Sequence, residues 1–437
     1  MQLDFLRFFD ACDPSRTLIV SNPEDRQYYV DFSEVRGGKI IEAIERTIGL
    51  KSFRGEPSCQ LFSGHIGCGK STELRRLQAD LEEEGFYVVY FESSQDLDLA
   101  DVDVTDILLA IAHRITANLE DMGISLRPSY FENLFRDISE LLQTPIEFSE
   151  LELSLPAGFG KLTALAKESP KTRGRLRQYL EPLTSRILEA LNREVLGQAN
   201  KELKLQKNKK GLVVLVDSLD RVDNRLNEAG RPQPEYLFID RGEQLRKLNC
   251  HLVYTIPLSL TFSNDNQMMI GRFGGGVLPK TLPMVPVRTK NDDIYSEGVD
   301  LLRQLIMSRA FPKIGAPTCQ DLVLEVFDAE STLDRLCNIS GGHVRNLLGM
   351  LYTCLQEEDP PIKRATLDRV IKEYAERLKM AITEDEWQLL NRVAESKTVS
   401  GEKEYQTLLR SLFVFEYHGK DGSRWFDLNP LLRPDIL

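Results

Sequence analysis

The chain has 437 residues, 42% of them apolar and 28% charged, with a net charge of −12. A chain this long buries enough core to fold without a disulfide or metal staple. Its acidity excludes a protein that coats nucleic acid or anionic membrane by bulk electrostatics, though not one with a local basic patch.

Seven cysteines, an odd number with no pair in C-x-x-C spacing, make neither a disulfide framework nor a zinc knuckle, and a reducing compartment fits best. Five scattered histidines make no metal cluster. The first residues, Met1 to Asp10, are too short and too acidic for a secretory signal, and apolar runs such as Leu212–Val216 are far below a membrane span. A soluble, cytoplasmic protein is expected.

In chain order, residues 1–50 mix short apolar patches with Pro23, Gly37 and Gly38 before a helical pattern over Lys39–Ile48. Cys59–Ser63 reads as a strand ending in a glycine-rich loop. Ser71–Glu84, with leucines at 74, 77 and 81 on one face, reads as a helix stopped by Gly85. Tyr87–Phe91 is a buried strand, and Asp106–Leu119 is helical. Residues 121–210 are too many for a simple crossover and read as a helical insertion, with helices over Tyr130–Leu142 and Thr172–Leu196 and an alternating, turn-rich piece over Ile146–Phe159. Its second half, 161–210, holds 13 Lys and Arg against 5 Glu. It lacks interleaved aromatics, so it reads either as a phosphate-contacting arm or as a helix docking on the acidic 92–152 region.

Leu212–Val216 and His251–Ile256 are further strands, and Thr281–Val287 is expected to be a fifth. Five helices follow between Ser296 and Lys379, then one over Glu384–Ala394, a helix-like Glu404–Leu412, and a hairpin of Leu412–Tyr417 with Arg424–Leu428. Trp387 and Trp425 read as packing residues.

Two motifs carry chemistry. Gly64-His65-Ile66-Gly67-Cys68-Gly69-Lys70-Ser71 fits G-x-x-x-x-G-K-[ST] between a strand and a helix. Glycines let consecutive amides turn inward on phosphate oxygens, and the next helix points its positive end at them. Lys70 supplies a mobile charge for the β and γ phosphates. Ser71 can ligate Mg²⁺, and Thr72 completes the loop. His65, Ile66 and Cys68 offer backbone rather than side-chain chemistry. The run Leu212–Val216 ending in Asp217 describes a buried strand whose tip carboxylate meets the Mg²⁺ shell.

Together these motifs resemble the AAA+ and STAND-type ATPases, branches of the P-loop NTPases, over about residues 30–380. The resemblance implies an ATP-binding hydrolase with ATP and Mg²⁺ as ligands. It implies a three-layer α/β P-loop core with a parallel sheet, a helical lid, and a winged-helix-like end. The expected division is a leading segment (1–50), a core (51–290) with the insertion at 121–210, a lid (291–380) and the C-terminal part (381–437). It further implies Thr255 as a sensor near the γ-phosphate, and Arg345, in Ser340-Gly-Gly-His-Val-Arg345, as a lid arginine reaching the phosphates. Arg36, within Asp31–Ile48, would lie where such chains pack against adenine. Arg272, in the interval before the fifth strand, would be a finger for a neighbouring subunit. One departure matters: Ser218 follows Asp217 where AAA+ chains carry glutamate, leaving Asp220 as the water-orienting carboxylate and implying slow hydrolysis. The alternatives are an ATP-gated scaffold or sensor that does not hydrolyse and a nucleic-acid-associated, initiator-like ATPase; a small-molecule kinase is disfavoured because it needs a short, arginine-rich lid. The expected partners are further copies or another protein, with no membrane.

Overall fold

The computed structural model describes residues 3–126, 129–142, 155–227, 230–314 and 320–433. Its centre is a parallel sheet of β1 (Cys59–Gly64), β2 (Tyr87–Glu92), β3 (Leu212–Asp217), β4 (His251–Pro257) and β5 (Lys280–Leu282), in the order β2-β3-β4-β1-β5. Every residue of β3 and β4 is buried. Strands so placed are covered on both faces, which is why they read as unbroken apolar runs rather than alternating ones. One face packs on helices Ile40–Phe53 and Lys70–Glu83 through Ile44, Leu74, Leu77 and Leu81. The other packs on Val104–Asp121 and the helices inserted after it. The result is the expected three-layer α/β architecture, with all carboxyl ends of the strands along one edge, where such sheets bind ligands.

β5 is shorter than Thr281–Val287. Pro283 and Pro286 cannot donate to a ladder, so pairing with β1 stops at Leu282. Of Ile146–Phe159, residues 146–154 lie outside the described residues, and the rest belongs to a helix, Leu155–Glu168, rather than to a turn-rich piece. The stretch expected as one helix, Thr172–Leu196, is part of a nearly continuous helical run from Pro170 to Lys207 that includes a 3-10 turn and a π segment.

The basic insertion is folded onto its own chain. Arg173 pairs with Asp98 and Asp101, each at 2.9 Å, and Arg177 with Asp101, Asp103 and Asp106. Of the two readings of residues 161–210, docking on the acidic segment is what these arginines do.

After β5 come helices Ser296–Ala310, Gln320–Val326, Glu330–Ile339, Val344–Glu357 and Arg364–Met380. Their shared core also takes in Phe8, Cys12, Val30 and Phe32 from the start of the chain. Helices Glu384–Ser396 and Lys403–Arg410 then pack with an antiparallel pair, β6 (Val414–His418) and β7 (Arg424–Leu428). Trp425 stacks on Tyr417 within that pair, and Trp387 is partly buried beside it. Among the described residues, no helix is long and apolar enough to cross a membrane.

Candidate nucleotide site

β1 ends at the carboxyl edge in the loop Gly64–Gly69, and helix Lys70–Glu83 begins directly after it. Gly64, Gly67 and Gly69 take φ of 154°, 85° and 107°. At Gly67 this freedom is needed twice over, since a Cβ there would meet His343 Nε2 at 2.6 Å and Arg345 Cβ at 2.9 Å.

Lys70 folds back under the loop. Its ammonium donates to the carbonyls of Gly64 (2.9 Å) and His65 (2.8 Å) and pairs with Asp220 at 2.9 Å. Burial alone would pull the ammonium down, but Asp220, Cys68 and Asp217 more than offset it and hold Lys70 above its ordinary range. Residues 70 and 220, 150 positions apart, meet because β1 and β3 flank β4 with their tips aligned.

Asp217 closes β3. Burial and the neighbouring Asp220 push its carboxyl up, against hydrogen bonds from Ser71, Tyr90 and the Ser218 amide. A serine hydroxyl and a carboxylate thus meet at the start of helix Lys70–Glu83. Both are hard oxygen donors, a set that suits Mg²⁺ beside a polyphosphate.

A pocket opens over this loop. Its inner wall is Ile66, Gly67, Gly69, Lys70, Ser71, Thr72, Ser218, Asp220 and Arg221; its outer wall is Pro14–Leu18, Arg309, Val344, Arg345 and Leu348. Arg345 lines this pocket at the start of helix Val344–Glu357, and its amide donates to Gly67 O (3.2 Å). Its guanidinium is drawn below its ordinary range by burial and by Arg221.

Three expected residues sit elsewhere. Arg36 is buried behind the loop, with its guanidinium on Cys68 O at 2.8 Å, so it braces the loop's backbone and is absent from the pocket wall. Residues 14–18 stand at the outer end instead. Thr255 is fully buried, and its hydroxyl accepts from Leu219 N (3.0 Å) and donates to Val216 O (3.3 Å). It staples the turn after β3 rather than facing the pocket. Arg272 ends the helix Asn266–Arg272 with a long contact to Ile239 O and reaches no wall of this chain's own pocket.

The loop's non-glycine residues do more than offer backbone. His65 Nε2 accepts from Glu416 N (3.0 Å), tying the loop to β6, and burial, with His343 and Lys70 adding to it, pushes His65 down to about 3. Cys68 Sγ lies 3.6 Å from Leu282 O. His343, which sequence reasoning passed over, caps helix Val344–Glu357 through Asn346 N and donates from Nε2 to Ile66 O at 2.7 Å. Its burial pushes it down to about 4. The Ser-Gly-Gly-His run before Arg345 was the available signal. Gly341 and Gly342 let the chain pass so close to Pro430 and Val285 that a Cβ at Gly342 would fall 1.7 Å from Val285 O. Glu92, in register with Asp217, was likewise missed; its Oε1 accepts from Ser94 Oγ (2.9 Å) and Ser218 Oγ (3.4 Å).

No protein-family model matches this chain, and no curated protein does. Among solved structures, that of Drosophila ORC bound to DNA is similar at a TM-score of 0.40 and 11% identity, over 100% of this chain and 90% of that one. Agreement that loose leaves the fold to rest on the strand order and loop geometry of the chain itself.

Proposed function

We propose that this chain is an ATP-binding protein of AAA+/STAND type that hydrolyses Mg-ATP slowly and uses the bound state to switch self-association or engagement of a protein partner. The observation that supports this best is the ammonium of Lys70, buried between two loop carbonyls and Asp220 at the mouth of a glycine cradle. A buried ion pair beside an anion cradle is arranged to be exchanged: an entering polyphosphate replaces Asp220 as the partner of Lys70. The amides of Gly67–Ser71 and the helix start then hold the phosphates, and Arg345 closes on them from the lid side.

Once displaced, Asp220 is a free carboxylate at the loop, placed to orient water and accept its proton. Mg²⁺ held by Ser71 and Asp217 would neutralise charge on the phosphate oxygens. Ser218 carries no charge of its own, so the water-orienting duty falls on Asp220, a shorter acid than glutamate, and turnover is slow.

The second reading is a switch that binds ATP without cleaving it, favoured by Asp220 being engaged by Lys70. Single-turnover phosphate release from the wild type, Lys70→Ala and Asp220→Asn separates the two. Release from the wild type that is lost in both variants supports hydrolysis. Equal, negligible release from all three leaves the switch, and absence of ATP binding by the wild type sinks both. Arg272 enters this proposal only in trans, facing the site of a second copy. Sedimentation with and without ATP tests that.

A further inference from the structure

We infer that Tyr90, backed by Arg75, is the positioning residue for the metal-facing carboxylate of Asp217; this rests on the Mg-ATP reading above. β2 lies beside β3 in parallel register, Tyr90 opposite Leu215 and Glu92 opposite Asp217. From two residues below the tip, the long tyrosine side chain runs up toward the carboxyl edge, and its hydroxyl donates to Asp217 Oδ2 at 2.6 Å. The other oxygen, Oδ1, accepts from the Ser218 amide at 2.7 Å. With Tyr90 and the Ser218 amide fixed one on each oxygen, the carboxylate plane cannot rotate, and a metal beside Ser71 would take up the side of the carboxylate that the Ser71 hydroxyl holds here.

A buried tyrosine hydroxyl always needs an acceptor, so the bond by itself is compatible with plain core packing. Two features separate this one. Its acceptor is the carboxylate that ends the interior strand β3 rather than a backbone carbonyl. And the face of its ring carries the guanidinium of Arg75, 3.4 Å from the centroid, on the same helix that begins with Lys70 and Ser71. A cation on the ring withdraws electron density from the phenol and strengthens the hydroxyl as a donor. Phosphate-loop helix, β2 and β3 are thus joined through one hydrogen bond and one ring contact. Partners of this kind, one step removed from a metal, set its affinity by orienting the ligand.

The test is Tyr90→Phe, which removes one oxygen and keeps the ring and the Arg75 contact. A fluorescent ATP analogue is titrated into the full chain in EDTA and in rising Mg²⁺. The expected result is a half-saturating Mg²⁺ concentration raised roughly 10-fold, with metal-free nucleotide affinity unchanged. Arg75→Gln, which leaves the hydroxyl in place, should shift the same midpoint by a smaller factor, about 3-fold. Superimposable Mg²⁺ titrations for Tyr90→Phe and wild type overturn the inference. So does an equal loss of affinity in EDTA, which marks a merely structural side chain. If wild type binds the analogue with no Mg²⁺ dependence at all, it is the reading of Ser71 and Asp217 as metal ligands that falls, and this inference with it.

Discussion

The Lys70 ammonium and the Asp220 carboxylate face each other at 2.9 Å, each side chain only 5% exposed. Removing one partner of such a buried pair strands the other. Asp220→Asn should therefore lower the stability of the nucleotide-free protein by roughly 3 kcal/mol. Saturating Mg-ATP should restore much of that, because phosphate then supplies the missing charge. Chemical denaturation with and without ligand reads both values, and an unchanged ligand-free midpoint would show that the pair is not what holds Lys70.

Residues 343–345 touch the loop at Ile66 and Gly67. Gly67→Ala forces a Cβ against His343 Nε2 and Arg345 Cβ at a residue with φ of 85°. The expected cost is roughly 1–3 kcal/mol, shared between folding and nucleotide affinity. Isothermal titration of ATP into this variant and into Gly55→Ala, whose Cβ would meet nothing, separates the local clash from the general cost of a positive φ.

Acid should loosen the same contacts. His343 sits at about 4 and His65 at about 3, both below the ordinary histidine value. A histidine depressed in the fold is held neutral there, so its stabilising share is intact above about pH 6.5 and is lost as pH falls toward the folded value. Between pH 7 and pH 5 the loss is about 2 kcal/mol per histidine. Urea melts at the two pH values should show it, and His343→Asn should remove about half of the difference. A pH-independent wild type would refute the assignment.

Arg173, 4% exposed at its side chain, answers Asp98 and Asp101 across the insertion boundary. Arg173→Ala should destabilise the protein by roughly 1–2 kcal/mol, since it removes a buried side chain and Asp98 loses this partner while Asp101 keeps Arg177. Its affinity for single-stranded DNA should stay as weak as that of the wild type. A variant that folds normally but loses DNA binding would return residues 161–210 to the role of a phosphate-contacting arm.

Much of the site was legible from residues alone. G-x-x-x-x-G-K-S after an apolar run specifies its own geometry, because the turn, the amides and the helix start all lie within one short segment. Asp217 was legible for a similar reason: a run of apolar residues that ends in an acid marks a buried interior strand and its tip. The α/β class followed from strands and helices with distinct periods. Local patterns of this kind carry the information for local structure.

What lay beyond reach depended on distance in the chain. Thr255 and Arg36 have the composition of site residues, yet each spends its polar atoms on a neighbouring backbone, and only strand order decides which backbone lies near. Tyr90 and Glu92 carry no local signal for their partners at 217 and 218, and the Ser-Gly-Gly-His run that marks His343 does not name its partner at 66. The docking of β6 on His65 joins positions 351 residues apart. The amino-acid sequence by itself determined the glycine-rich loop, the strand ending in Asp217 and the class of fold, whose causes are short-range periodicity and turn chemistry. The tertiary structure alone decided which side chains brace the loop and which face the pocket, since packing assigns a buried polar group the partner that happens to lie within about 3 Å.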